Sequence, residues 1–291
     1  MTEIRTDARQ LADPDLPRLT LSTARRAHAA LRIGSPERGD VLLVPGFTGS
    51  KEDFAPILRG IAEAGYRATA IDQRGQFETA GADPDGSETE ADYVPDALAL
   101  DLLALAEAAP GPLHLVGHSF GGLVARAAVI ARPRAFASCV LMDTGPAGVE
   151  GAFRDRLTLL RPVLVEYGLP AVYEGMKMLE ADDPGHVAAP AELQEFDRRR
   201  FVTGSATMLL GMGTALLAEP DRTDELRASG VALLSMHGVD EDVWLPPVQA
   251  DYARRLGLTP VVIPGAGHSP AVDHPAATLR ALLEFWSGVG R

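Results

Sequence analysis

Six short apolar runs, closed by glycine or proline and separated by helix-like stretches, restrict this chain to a mostly parallel central sheet with helices on both faces. They fall at residues 41–44, 68–71, 113–116, 139–142, 231–236 and 260–263. Each is nearly all apolar, as a strand covered on both faces must be. Residues 19–21 and 28–33 carry weaker patterns and are expected as flanking strands. Ser50 with Asp53 three residues on has the form of a capping box, and Phe54, Ile57, Leu58 and Ile61 then recur at helical spacing up to Gly65. Further helices are expected over 94–108, over 123–131 up to Pro133, over 246–256, and from Pro275 through Leu279, Leu282, Leu283 and Trp286. Between 146 and 227 the rhythm breaks and no strand-like run appears. Helical patterns sit instead at 151–167, 171–179 and 191–217, punctuated by Pro170, Pro184, Pro190 and Pro220. The expected organisation is an α/β core from residues 1–145 and 226–291, with a helical cap or lid at 146–225 inserted between two strands.

Charge narrows the function classes. The 291 residues hold 27 Lys and Arg against 40 Asp and Glu, a formal charge of −13. Binding to nucleic acid or to an anionic lipid surface needs a clustered basic face, so neither partner is expected. No apolar stretch approaches the roughly 18 to 20 residues needed to span a bilayer. Residues 1–15 are polar and lack the apolar segment of a secretory signal, so a cytoplasmic protein is expected. The acidic run that includes Asp83, Asp85, Glu88, Glu90, Asp92, Asp96 and Asp101 reads as a solvated loop entering a helix. Cys139 is the sole cysteine and lies in an apolar run, which leaves no intrachain disulfide or thiolate cluster to consider.

The chemistry-bearing signal is Gly117-His-Ser-Phe-Gly121, a G-x-S-x-G pentad that follows a short apolar strand and precedes a helix. That setting is what a nucleophile elbow needs, because the turn is so tight that the residues two before and two after the serine must be small. A serine hydroxyl requires a base, and the base an acceptor that holds its tautomer. His268 stands in a Gly-rich loop directly after the last strand, where parallel sheets collect active-site residues, and is expected as the base. His28, His114, His186 and His274 lack that context, His237 opens another loop, and His118 is expected to pack beside the serine. The loop after the preceding strand offers Asp240, Glu241 and Asp242. Asp143, after the 139–142 strand, is a further candidate acid. Oxyanion donors are expected from the backbone N–H of Phe120, next after the serine, and of Phe47 in the Pro45-Gly-Phe-Thr-Gly49 loop.

Together these features resemble an α/β-hydrolase-fold enzyme of the Ser-His-Asp type, over residues 40–145 and 226–291. The resemblance rests on the Pro-Gly-Phe loop, the Asp72-Gln-Arg-Gly75 turn, the elbow, and the loops of Asp242 and His268. It implies a serine hydrolase, esterase-like or lipase-like, in which Ser119, His268 and Asp242 act together with no cofactor and no metal. Asp242 is preferred because Trp244 and Pro246 follow it at the spacing of the Asp-x-Trp-x-Pro run in many relatives; Asp240 is second. Two departures stand out. Pro45 replaces a histidine of many relatives, and Phe77 replaces a glycine. Arg74 is expected as a structural ion-pair residue. Serine at the elbow argues against the dehalogenase and epoxide hydrolase branches, which carry aspartate there. The expected reaction is cleavage of an ester, thioester or similar acyl bond in a small, largely apolar substrate. Met176, Met178, Met208, Met212, Phe153 and Phe201 of the inserted helices are the candidate acyl-pocket residues.

Two rival readings exist. Residues 41–49 followed by Asp72 imitate a dinucleotide fingerprint, and Tyr173 with Lys177 imitates the pair of an NADP-dependent short-chain oxidoreductase, but the third glycine of G-x-G-x-x-G is missing. A non-enzymatic ligand receptor on the same fold would also retain this pattern.

Overall fold

The computed structural model describes residues 9–11, 13–81, 87–181 and 188–289; Asp83, Asp85, Pro184, His186 and most of the N-terminal segment lie outside them. Strands β1 (Arg18–Ser22), β2 (Ala27–Ile33), β3 (Asp40–Val44), β4 (Arg67–Ile71), β5 (Leu113–His118), β6 (Phe136–Met142), β7 (Ala232–Gly238) and β8 (Val261–Ile263) form one sheet in the order β1-β2-β4-β3-β5-β6-β7-β8. The β1–β2 and β2–β4 pairs are antiparallel; all others are parallel. In this register Val44 lies opposite Gly117, His118 opposite Met142, Met142 opposite Met236, and Gly238 opposite Ile263. The C-terminal ends of five neighbouring strands therefore share one rim, where open α/β sheets bind ligands.

The alternation of side chains along β3 shows why these runs are wholly apolar. Val41 and Leu43 face one cluster, with Ile57, Leu58 and Ile61 of α1 (Ala55–Glu63) and Leu282 and Trp286 of α10 (Pro275–Gly288). Leu42 and Val44 face another, with Leu98 and Leu102 of α2 (Pro95–Glu107), Leu123 and Val124 of α3 (Phe120–Ala131), and Tyr252 and Leu256 of α8 (Pro246–Leu256). Successive residues of a strand point to opposite faces, so a sheet covered twice has no polar face to display. Cys139 is buried in the second cluster, where burial pushes its thiol up to about 12. Arg74 makes a bidentate ion pair with Asp101 at 2.8 to 2.9 Å, and both are buried.

Among the described residues, four helices stand between β6 and β7: α4 (Gly151–Ala181), α5 (Ala191–Thr203), α6 (Ala206–Ala218) and α7 (Thr223–Ala228). They differ in detail from the sequence expectation. The patterns over 151–167 and 171–179 run together as α4, with one break at Gly168, whose φ of 76° favours a residue without Cβ. The pattern over 191–217 divides instead at Gly204, and Ser205 caps α6 by accepting the Met208 N–H at 3.1 Å. The two ends of the insertion meet. The Gly148 N–H donates to the Glu219 carbonyl at 2.9 Å and the Val149 N–H to the Leu216 carbonyl at 2.7 Å. Arg126, fully buried on α3, bonds the Pro146 carbonyl and pairs with the Glu219 carboxylate at 2.6 Å. No single helix among the described residues is long and apolar enough to cross a membrane; α5 and α6 reach that length only as a pair bent by 91°.

Candidate active site

Ser119 sits between β5 and α3 with φ 53° and ψ −123°. That conformation costs a non-glycine residue of order 1 kcal/mol or more and persists because its surroundings fix it. Its N–H donates to the Met142 carbonyl at 2.8 Å, and its carbonyl accepts the Gly122 N–H at 2.8 Å. The pentad's glycines are required by close approach. A Cβ on Gly117 would stand 2.5 Å from the Gly121 carbonyl oxygen, and one on Gly121 would stand 2.4 Å from the Val44 carbonyl oxygen. Gly122 similarly lets α3 pass Thr144, whose side chain would lie 2.4 Å from an added Cβ.

The Ser119 hydroxyl donates to His268 Nε2 at 2.9 Å. The opposite ring nitrogen, Nδ1, donates to Glu241 Oε2 at 2.8 Å and Oε1 at 3.0 Å. Asp242 does not make this contact, and neither does Asp240; both are exposed, while the Glu241 carboxylate is buried. The cause is the turn after β7. Val243 and Trp244 are buried, and the Trp244 indole packs on Gly145, where a Cβ would stand 2.0 Å from the ring, and donates to the Ala147 carbonyl at 3.0 Å. With that anchor set, the N–H groups of Val243 and Trp244 converge on Glu241 Oε1 at 2.7 and 2.9 Å. Burial alone would raise the Glu241 carboxyl, but the His268 ring, the neighbouring Asp143 carboxyl and the Trp244 N–H outweigh it and hold it at about 2. The Asp-x-Trp-x-Pro spacing points to Asp242, and no local pattern marks Glu241, because Val243 and Trp244 are consecutive and both buried.

His118 packs against His268, ring centroids 5.1 Å apart, and its Nε2 donates to the His268 carbonyl at 2.6 Å. Burial, with the nearby His268 ring, pushes His118 down to about 4, so it is a neutral donor that ties the elbow to the His268 loop. The remaining described histidines are placed elsewhere: His28 and His114 bond the Asp72 carbonyl and the Ser138 hydroxyl, His237 bonds its neighbouring carbonyl at Gly238, and His274 stands immediately before α10.

Phe120 opens α3, so its N–H is one of the first-turn donors that lack an intrahelical acceptor. Across the site, a Cβ on Gly46 would stand 3.0 Å from the Ser119 Cβ, which shows how closely the Pro45–Gly49 loop approaches. Two buried glutamines hold that loop by its carbonyls. Gln73 Nε2 donates to Pro45 at 2.8 Å, and Gln76 Nε2 to Gly46 at 2.6 Å and Phe47 at 3.3 Å. Phe77, where many relatives have glycine, keeps the left-handed backbone that glycine would favour, at φ 39°. Its ring packs edge-on against Phe196 of α5 at 5.9 Å. Arg200 of α5 pairs with Asp53 at 2.6 Å, so the insertion is tied to the core beside this loop.

An apolar cavity enclosing about 700 Å³, its open mouth included, lies between Phe47 and Thr48 and the inserted helices. Of the six candidate pocket residues, Phe153, Met176 and Phe201 line it. The other three do not. Met178 is exposed on α4, while Met208 and Met212 are buried in the core, Met208 against Gly75. Helical phase decides this: Met176 and Met178 are two residues apart on α4 and cannot share a face. Tyr173 and Lys177, the imitation of an oxidoreductase pair, bond the Gln194 carbonyl and the Glu180 carboxylate within the insertion.

Comparison with known proteins shows the family and the fold. Residues 41–281 match the sequence profile of the alpha/beta hydrolase family. A Variovorax paradoxus (strain S110) protein that carries the name of a carbamate hydrolase is 36% identical over 265 residues, 88% of this chain and 95% of that protein. Among solved structures, a carboxylesterase of the thaumarchaeon Nitrososphaera gargenis superposes with a TM-score of 0.76 at 21% identity, covering 94% of this chain and 98% of its own. An esterase of Exiguobacterium antarcticum gives 0.75 at 18% identity, covering 92% and 99%. At such identities the structures speak for the fold.

Proposed function

This chain belongs to the alpha/beta hydrolase family and is a hydrolase of small molecules, and from that premise we propose that Ser119, His268 and Glu241 carry out acyl transfer to water through an acyl-enzyme. The observation that carries the proposal is the unbroken chain of hydrogen bonds from the Ser119 hydroxyl through both His268 nitrogens to Glu241, at 2.9 and 2.8 Å. Ser119 Oγ bonds to the substrate carbonyl carbon while His268 Nε2 takes its proton, and Glu241 stabilises the imidazolium. The oxygen that gains charge is held by the Phe47 and Phe120 amides, each worth about 2.7 to 4 kcal/mol. Collapse breaks the bond to the leaving group, which takes the proton from His268. Water then repeats the sequence and frees the acid and Ser119.

The cavity beside Phe47 favours an acyl bond whose substituent is apolar: an ester, a thioester or, by likeness to the Variovorax relative, a carbamate. The same insertion, tied down by Phe77 and Arg200, acts as a cap that selects the substrate. A panel of esters, thioesters, lactones, amides and carbamates, run against the enzyme and its Ser119→Ala variant, tests the reading. Removal of the hydroxyl should lower kcat on p-nitrophenyl esters by about 10⁶. Equal rates for the two proteins, or failure of a phosphonate or sulfonyl fluoride probe to label Ser119, would refute it and favour a binding protein.

A further inference from the structure

Two carboxyl groups, rather than one, are buried behind His268. Asp143 follows β6, at the strand end beside that of Glu241, with a left-handed backbone at φ 46°. Its Oδ1 accepts the Gly238 N–H at 2.9 Å. Its Oδ2 is buried and meets no N–H or hydroxyl donor among the described residues. Glu241 is the opposite case, with N–H donors from Val243, Trp244 and His268. An oxygen of each carboxyl and a ring nitrogen of His268 all lie within 4.8 Å of one another. Two carboxylates this close in a water-poor site cannot both be ionised. The proton settles on the acid that the surrounding N–H groups stabilise less as an anion.

We propose that Asp143 is a positioning residue for the acid of the triad: a protonated carboxyl that donates a hydrogen bond to the Glu241 carboxylate and fixes the direction in which that carboxylate meets His268. The proposal rests on the reading of Ser119, His268 and Glu241 given above. Two strand ends each supply an acid, and the location of one proton decides which of them carries the charge. The charged groups around Asp143 agree. Burial, then the hydrogen bond and charge of Glu241 from the loop after β7, then Asp273 of α9 (Pro270–Asp273), push Asp143 well above the usual carboxylate range, against the pull of the Gly238 N–H. His268, from the loop after β8, faces the pair on the Glu241 side.

The test compares wild type with Asp143→Asn and Asp143→Ala. Asparagine reproduces a neutral carboxyl: its amide N–H can donate to Glu241 and its oxygen can accept from Gly238. Asn should keep kcat within about threefold of wild type, whereas Ala, which removes a hydrogen bond to a charged group, should lower it by about 10- to 100-fold. The acid limb of the kcat/KM profile should coincide for wild type and Asn. Were Asp143 an anion, its removal would shift that limb down by roughly a pH unit and overturn the proposal. A second readout needs no turnover. The infrared difference spectrum of wild type minus Asp143→Asn at neutral pH should contain the carbonyl band of a protonated carboxylic acid; its absence would refute the proposal even if Ala fails to fold. Should wild type hydrolyse none of the panel, the triad reading fails by itself, and the infrared band still decides where the proton lies.

Discussion

The sheet rim and the inserted helices solve different problems with the same residue types. At the rim, Ser119, Glu241 and His268 leave the ends of β5, β7 and β8, whose register fixes their separation before any side chain is chosen. Ser119 and Glu241 are buried and His268 is half-buried; the three side chains hold one another by hydrogen bonds, and the Val243 and Trp244 N–H groups hold Glu241. In α4 the apolar residues point several ways. Val165, Tyr167 and Met178 are 67%, 64% and 70% exposed, while Met176 and Phe153 line the cavity. Rigidity belongs where atoms must meet to within a few tenths of an ångström. The helix α4 carries prolines at positions 162 and 170 and a break at Gly168.

The sharpest way to break this contrast is at the rim. Glu241→Gln should lower kcat/KM by about 10⁴ on every substrate, as loss of the triad acid does, while Asp242→Asn should stay within about twofold. Comparable small losses in both would move the acid elsewhere. The second test lies where the regions join. Arg126→Met leaves Glu219 buried without its cation and should destabilise the protein by about 3 to 5 kcal/mol in urea unfolding, with part of the loss restored by adding Glu219→Gln. An unchanged midpoint would mean the staple is dispensable.

Acid pH probes the rim again. His118 has its folded pKa depressed from 6.5 to about 4, so the unfolded chain binds the proton first. Its contribution is present above about pH 6.5 and is lost as pH falls toward 4, a change of up to about 3 kcal/mol. His118→Gln should flatten the slope of stability in that window; an identical slope would assign it to other groups. The smallest effects belong to the insertion. Met176→Ala should move the preferred acyl length and change selectivity by about tenfold, in the range of one to a few methylenes. Met208→Ala should cost stability yet leave the length profile unaltered, and Met178→Ala should change neither. A shifted profile in the Met208 variant would bring that residue back into the pocket.

What the sequence disclosed follows the same division. The strands were legible because double burial leaves no polar position along 41–44 and only His114 along 113–116, and Ser119 and His268 because strand-end loops are short and rich in glycine. Glu241 was displaced by its neighbour Asp242, since the direction of each side chain there depends on the Trp244 indole seating on Gly145, a contact 99 positions apart that no local pattern encodes. Met178, Met208 and Met212 were placed in the pocket by composition alone. Which face of each helix is turned to the cavity depends on where Gly168 and Gly204 interrupt the helices, and a list of apolar residues does not reveal it.

Arg126 gives the insertion an evolutionary and engineering meaning. Because a side chain of the helix that begins beside Ser119 grips both Pro146 and Glu219, the segment between them starts and ends on one closed stem, while Asp53, Gly75 and Phe77 give it further anchors on the core. A segment exchanged above the stem therefore has to meet those anchors as well as the stem if the scaffold beneath is to keep its register.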